Sequence, residues 1–280
     1  MNNIISFCGH KASGKDTCGL FIFGSYLCSL GLVEGGFTIK PEGLWVTDIM
    51  GNKDLQGRFD PRRNTDTMRN FLAEYVDPYI KLYSFADELK QFCINVFGLR
   101  HEQCYGSNEE KNSLTHLRWE NMPGILYDNG VKHQLELQQW YKEDGSDYDV
   151  ATYLKFHNPG QMTAREVLQY FGTEIVRKMY SPAWAKATLN KIKREQPLLA
   201  VITDCRFEDE LNEVKNNGGK VIKLLRQPHQ DNHVSEQINI EDDKFDAIID
   251  NTNLTIDEQN DKLIEILNKW ELLPQMEILG

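Results

Sequence analysis

At 280 residues, 40% hydrophobic and 26% charged, the chain has ordinary globular proportions and enough length to bury a substantial core. No stretch approaches the run of about 20 apolar residues that crosses a bilayer, so no membrane partner is expected. With 31 basic against 42 acidic residues the net charge is −11, which argues against stable nucleic-acid binding across the whole surface.

The opening MNNIISFCGHK lacks a basic segment followed by an apolar one, so no export signal is read and a cytoplasmic setting is expected. The six cysteines, Cys8, Cys18, Cys28, Cys93, Cys104 and Cys205, include no C-x-x-C pair, which favours free thiols over disulfides or a zinc site. Asn3 to Cys8 reads as a short buried strand. It runs into Gly9-His10-Lys11-Ala12-Ser13-Gly14-Lys15-Asp16-Thr17, and the small and apolar residues that follow have helical spacing. Strand, glycine-bearing loop and helix are the setting of a phosphate-binding loop, in which backbone N–H groups converge on phosphate oxygens and the lysine neutralises their charge. The pattern departs from the usual one after the lysine. Asp16 stands where Ser or Thr is normal, and Thr17 comes one place late, which makes both candidates for ligating Mg2+.

Residues 29 to 66 are rich in Gly, Asp, Asn, Arg and Pro and read as loop. "IKLYSF" at 80 to 85 reads as a strand, and "ADELKQFCINVFG" as a helix with a stripe of Leu89, Phe92, Val96 and Phe97. From 101 to 160 the sequence is polar and aromatic, with Trp119, Tyr127, Trp140, Tyr141, Tyr148 and Tyr153, and is read as an insertion within a single domain spanning 1–280. A capping box, Thr163 with Glu166, starts the next helix, whose stripe of Val167, Leu168, Phe171 and Ile175 is interrupted by Gly172, implying a close approach or a break. "PLLAVITD" is a near-continuous apolar run, as in a strand covered on both faces. A helix in "FEDELNEVKNNGG", strands in "KVIKLLR" and "FDAIID", and a final helix capped by Thr255 and Glu258 complete the pattern.

Strands alternating with helices predict an α/β fold with a mostly parallel, doubly wound sheet, in which ligands bind beyond the carboxyl ends of the strands. The phosphate loop, Asp204 with Arg206, and Arg226 all stand at such exits. A carboxylate there binds a magnesium shell or accepts a proton, or else caps a helix; a guanidinium clamps phosphate. Arg165 and Arg177 are further candidates for holding phosphates. "HQDNHVSEQ" at 229–237 lacks the spacing of a zinc site and reads as a polar loop.

Taken in order, "GHKASGKDT", "SFADELKQ", "TAREVLQYFGTEIVRKMYSPAW", "VITDCRFEDELNEVKNNGGKVIKLLR", "HVSE" and "FDAIIDNTN" resemble the deoxynucleoside monophosphate kinases of tailed bacteriophages, members of the P-loop nucleoside monophosphate kinase superfamily. The resemblance spans 1–28, 80–98 and 162–270 and implies a three-layer fold with an inserted lid or substrate region. It also implies transfer of the ATP γ-phosphoryl group to a deoxynucleoside monophosphate, with Mg2+, in the host cytoplasm if the chain is phage-encoded. By resemblance, Gly9 to Thr17 would hold the donor phosphates. Phe85, Lys90, Arg165, Gln169, Arg177 and Asp204 would meet the acceptor, and Lys15, Arg165, Asp204, Arg206 and Arg226 would act in the transfer, Arg226 leading into a lid. The G-K-D-T ending is shared with these kinases, so Asp16 marks a branch rather than the loss of a site. Three other readings remain open from the sequence: a kinase of dephospho-coenzyme A or phosphomevalonate type, a kinase of a modified base in DNA, and a nucleotide-binding regulatory or defence module. A homodimer is also left open.

Overall fold

A computed structural model describes residues 3–49, 52–63, 65–127, 155–228 and 240–274. The chain divides into two compact units, one formed by 1–88 with 182–280 and the other by 89–181.

The first unit begins with strand β1 (Asn3–Cys8) and helix α1 (Lys15–Ser29), then a meander of β2 (Phe37–Lys40), β3 (Gly43–Ile49) and β4 (Asn52–Phe59). Helix α2 (Asp66–Phe71) continues into a wider π turn over Leu72–Val76, followed by β5 (Ile80–Tyr83) and the start of α3 (Phe85–Phe97). The second unit holds α4 (His101–Tyr105), α5 (Asn108–Lys111), β6 (Leu114–Arg118), β7 (Ile125–Tyr127), β8 (Lys155–His157), β9 (Gln161–Thr163) and α6 (Ala164–Gln169). The chain then returns to the first unit with α7 (Ala183–Glu195), β10 (Leu199–Cys205), α8 (Glu208–Asn216), β11 (Lys220–Leu224), β12 (Ala247–Ile249) and α9 (Ile256–Lys269).

Five strands form a parallel sheet in the order β12-β11-β1-β10-β5, the expected mixed α/β fold of P-loop three-layer type. The apolar runs of β1 and β10 are explained by burial on both faces. Ile5, Phe7, Leu199 and Val201 join one core with α1 and α9, while Ile4, Cys8, Ala200 and Ile202, alternating with them, join a second core with α7 and α8. Each Ile, Leu, Val or Phe among them contributes about 1.5–3 kcal/mol by leaving water. Among the described residues no helix is long and apolar enough to cross a membrane.

Residues 37–59 correct the expectation of loop over 29–66. They pair as an antiparallel meander, Ile39 with Leu44 and Val46 with Gly57, because every second side chain, Ile39, Leu44 and Val46, is buried against the core that contains α1. Gly, Asp and Asn in this stretch conceal a short period-two pattern that only the burial reveals.

In the second unit, α3 buries Cys93, and Leu89 and Phe97 of the stripe read from sequence pack against the same core, whereas the stripe's Phe92 is 37% exposed and Val96 60% exposed. Both helix starts with capping boxes form as expected, at Thr163–Glu166 and Thr255–Glu258. The helix from Ala164 widens into π geometry over Tyr170–Arg177, and a Cβ on Gly172 would come within 2.5 Å of Leu89 Cδ2. The interruption at Gly172 is therefore both a close approach and a change of helix type. The stretch 101–127 with 155–160 holds short paired strands. β6 pairs antiparallel with β9, β7 runs parallel to β8, and Trp119 stacks on His157 at 3.9 Å. Residues 128–154, including Trp140, Tyr141, Tyr148 and Tyr153, lie outside the described residues, as does the polar loop 229–237.

Candidate active site

The phosphate loop emerges from β1 and wraps back on itself. Gly14 adopts φ +104° immediately before α1, a backbone that side-chain-bearing residues rarely take, and a Cβ there would lie 2.6 Å from Gln259 Oε1. Ala12 is also held at positive φ, 59°, a strained conformation for a residue with a side chain. Lys15 is 6% exposed, and its Nζ donates to Gly9 O and His10 O, each at 2.6 Å, which bends the ammonium over the loop. His10, Lys11 and Ser13 complete the turn, with Ser13 N donating to His10 O at 3.1 Å.

A buried amide network holds this loop from behind. Asn251, just past β12, is fully buried, and its Nδ2 donates to Ser13 O at 2.7 Å and to Gln259 Oε1 at 2.5 Å. Gln259 Nε2 in turn donates to Cys18 Sγ at 3.2 Å. Burial drives the Cys18 thiol up to about 12, against the smaller opposing effects of Gln259, Arg226 and Lys15. Arg226, at the exit of β11, is tied into the same network. Its backbone N donates to Asn251 Oδ1 at 2.8 Å, and its guanidinium donates to Asn251 O at 2.9 Å and to Leu254 O.

Asp16 lies 68% exposed at the first turn of α1. Its Oδ1 accepts from Thr203 Oγ1 at 3.0 Å and from Arg62 Nη2 at 3.1 Å, while Arg62 Nη2 also donates to Thr203 Oγ1 at 3.0 Å. Burial opposes the charge on Arg62, but the carboxylates of Asp16, Asp87 and Asp204 outweigh it and raise its pKa. Thr17 lies beside Asp16 on the wall of a cavity of about 270 Å³.

Asp204, one residue beyond Thr203 on β10, turns both oxygens to the start of α3. Oδ1 accepts from Phe85 N at 2.8 Å, and Oδ2 accepts from Ala86 N at 3.0 Å and Ser84 Oγ at 2.5 Å. It thus caps a helix, though not the helix that follows it in sequence. That arrangement positions the carboxylate at the positive end of α3. Phe85 itself is 2% exposed within the second core. Arg206 is half-buried, and its backbone N donates to Glu210 Oε2 at 2.8 Å.

The structure therefore brings together, in the first unit, the loop Gly9–Thr17, Asp204 and Arg226 with Thr203, Arg62 and Asn251. Lys90, Arg165, Gln169 and Arg177 belong to the second unit. There, Arg165 Nε donates to Asn112 Oδ1 and its Nη2 to Asn108 Oδ1, both at 2.9 Å, and Lys90 Nζ lies 4.6 Å from the centre of the Tyr105 ring. Gln169 closes α6, and Arg177 ends the π turn, both half-buried.

The strand-exit rule found the loop, Asp204 and Arg226. Applied equally to "IKLYSF" and "FDAIID" it would also have found Ser84 and Asn251, each the first buried polar residue past its strand. Arg62 gave no such signal, because it follows a meander that read as loop.

No curated protein sequence matches the chain. A family model does match, over less than half of the chain's length. The matched segment includes Arg165, Gln169, Arg177, Asp204, Arg206, Arg226, Asn251 and Gln259, and leaves out the phosphate loop and the β2–β4 meander. Residues 142–263 match the model of the family described as deoxynucleotide monophosphate kinase.

Proposed function

We propose that this chain is an ATP-dependent deoxynucleoside monophosphate kinase, transferring the γ-phosphoryl group of ATP to the α-phosphate of a deoxynucleoside monophosphate and supplying diphosphates for phage DNA synthesis. The observation that carries the reading is the family match over 142–263, which holds four of the arginine and aspartate residues singled out for transfer: Arg165, Asp204, Arg206 and Arg226. The phosphate loop outside the match supports it independently, with a glycine at φ +104° at the helix start and a buried lysine folded over the turn. The whole chain is read as one kinase domain, with 101–160 inserted in it and a cytoplasmic setting.

In this reading the N–H groups of Gly9–Thr17 and the positive end of α1 bind the donor phosphates, and Lys15 offsets the charge that develops on the transferred group. Arg206 and Arg226 add positive charge to the donor side. Phe85, Lys90, Arg165, Gln169 and Arg177 receive the acceptor, and Asp204 orders the chain around Phe85 through its bonds to Ser84, Phe85 and Ala86. The acceptor phosphate is already ionised, so no strong base is needed, and catalysis rests on positioning and charge neutralisation.

Asp16 and Thr17 fit a magnesium ion by the chemistry of their donors: both offer hard oxygens, and the Asp16 carboxylate is largely exposed beside the loop. Among the described residues no group of three or more His, Cys, Asp or Glu is placed to hold a metal ion. When bound there, magnesium would supply positive charge that offsets the charge of the phosphates.

The test is incubation of purified protein with ATP, magnesium and each of dAMP, dCMP, dGMP and dTMP, with product separation by chromatography. Diphosphate from at least one is expected, and none from any of the four would overturn the proposal.

A further inference from the structure

The β2–β4 meander lies outside the matched segment, yet the turn after it delivers a guanidinium to the phosphate loop. Asp60, Pro61 and Arg62 form that turn: Asp60 Oδ1 accepts from Arg62 N at 3.0 Å, and Asp60 O accepts from Arg63 N at 3.1 Å. Proline fixes one backbone angle and the aspartate closes the turn, so the Arg62 backbone is presented in a set direction.

Its side chain ends in a closed ring of three contacts. Arg62 Nη2 spends its two hydrogens on Asp16 and Thr203, and Thr203 Oγ1 passes its own to Asp16. Asp16 is the neighbour of Lys15, and Thr203 is the neighbour of Asp204, so the guanidinium stands where the loop meets the β10 exit. A guanidinium has five N–H donors. Among the described residues, the hydrogens on Nη1 and Nε meet no protein acceptor, and half of the side chain is exposed. Two cavities, of about 270 and 340 Å³, flank it, and Arg62, Pro61 and Leu82 line both. The smaller one is lined by Asp16 and Thr17, by the cations Lys40 and Arg58, and by the carboxylates of Glu42 and Asp60.

An exposed ion pair alone contributes little to stability, so pairing with Asp16 gives weak reason to hold an arginine on a built turn at this spot. We propose that Arg62 is a phosphate-binding residue of this site, its free N–H groups holding phosphoryl oxygens of a small phosphorylated ligand that enters the 270 Å³ cavity. Arg62 also masks the carboxylates of Asp16, Asp87 and Asp204, whose charge raises its pKa. Removing it therefore deletes the donors and exposes an incoming phosphate to three anions.

The inference deepens the kinase reading and rests on it only for the identity of the ligand. Isothermal titration of wild-type, Arg62→Gln and Arg62→Lys protein, without magnesium, uses inorganic tripolyphosphate, ATP and the four deoxynucleoside monophosphates in separate runs. For Arg62→Gln the Kd of tripolyphosphate is expected to rise about tenfold or more. The nucleotide runs show whether the donor or the acceptor phosphate is held, and Arg62→Lys recovers part of the loss, as a point charge without the fork does. Unchanged affinity for all the probes in Arg62→Gln, with or without a lowered Tm, would overturn the proposal and leave the kinase reading standing. Weakened tripolyphosphate binding in a protein that makes no diphosphate would uphold Arg62 and sink the kinase reading.

Discussion

Replacing Asn251 with Leu keeps the branched shape of the side chain and removes every hydrogen bond that side chain makes. Three groups then lose a partner: the buried Ser13 O and Gln259 Oε1, and the half-buried Arg226 N. Each buried polar group left unsatisfied costs roughly 1–3 kcal/mol, so even the lowest values sum to about 3 kcal/mol. That is a large share of a total folding stability of about 5–15 kcal/mol. For a chain of this size one kcal/mol moves Tm by roughly 2–4 °C, which places the expected fall at about 6 °C or more. Thermal unfolding followed by circular dichroism measures it. ATP titration on the folded variant provides a second readout, because Ser13 lies within the phosphate loop and its carbonyl is fixed by Asn251. Affinity is expected to fall alongside Tm. A Tm within about 2 °C of wild type would refute the network, since it would mean that none of the three groups depends on Asn251.

Lys15→Ala is expected to abolish phosphoryl transfer while circular dichroism stays that of the folded protein, and near-normal turnover would remove the loop from the donor site. Asp16→Ala is expected to raise the magnesium concentration needed for half-maximal rate while changing stability by less than about 1 kcal/mol, because its ion pair with Arg62 is exposed. An unchanged magnesium profile would leave Thr17 as the ligand. Burial holds the thiols of Cys18 and Cys93 up at about 12, so neither is expected to react with iodoacetamide at pH 8 in the folded protein, and labelling at the native rate of a free thiol would contradict it. A raised thiol pKa favours the folded state below the ordinary value of 9.0 and loses that advantage as pH rises towards 12, so urea unfolding should show stability falling across that interval.

What could be read from sequence follows from how locally each feature is encoded. β1 and β10 declare themselves because a strand covered on both faces reads as a near-continuous apolar run, and their apolar residues alternate between the two cores. The capping boxes at Thr163 and Thr255 are legible for a similar reason, since both partners lie within four residues. The meander was not legible: its buried residues, Ile39, Leu44 and Val46, are few and are separated by turn-forming residues.

The candidate site divides along the same line. The phosphate loop is one contiguous stretch, so its chemistry is written in nine residues. Its supports come from far along the chain: Asn251 is 238 positions from Ser13, Asp204 is 119 from Phe85, and Arg62 is 46 from Asp16. Sequence distance hides such pairs, but the parallel sheet constrains them. Every strand of the five-stranded sheet runs the same way, so β1, β5, β10, β11 and β12 all deliver their next residues to one edge. Polar residues at or just past the carboxyl ends of those strands, Ser84, Asp204, Arg226 and Asn251, are therefore delivered to the same edge of the sheet as the loop. Arg62 belongs to no strand of that sheet. It reaches the same edge only because the meander packs on α1 and ends at a proline turn, so its place in the site is a property of the inserted hairpins rather than of the α/β scaffold.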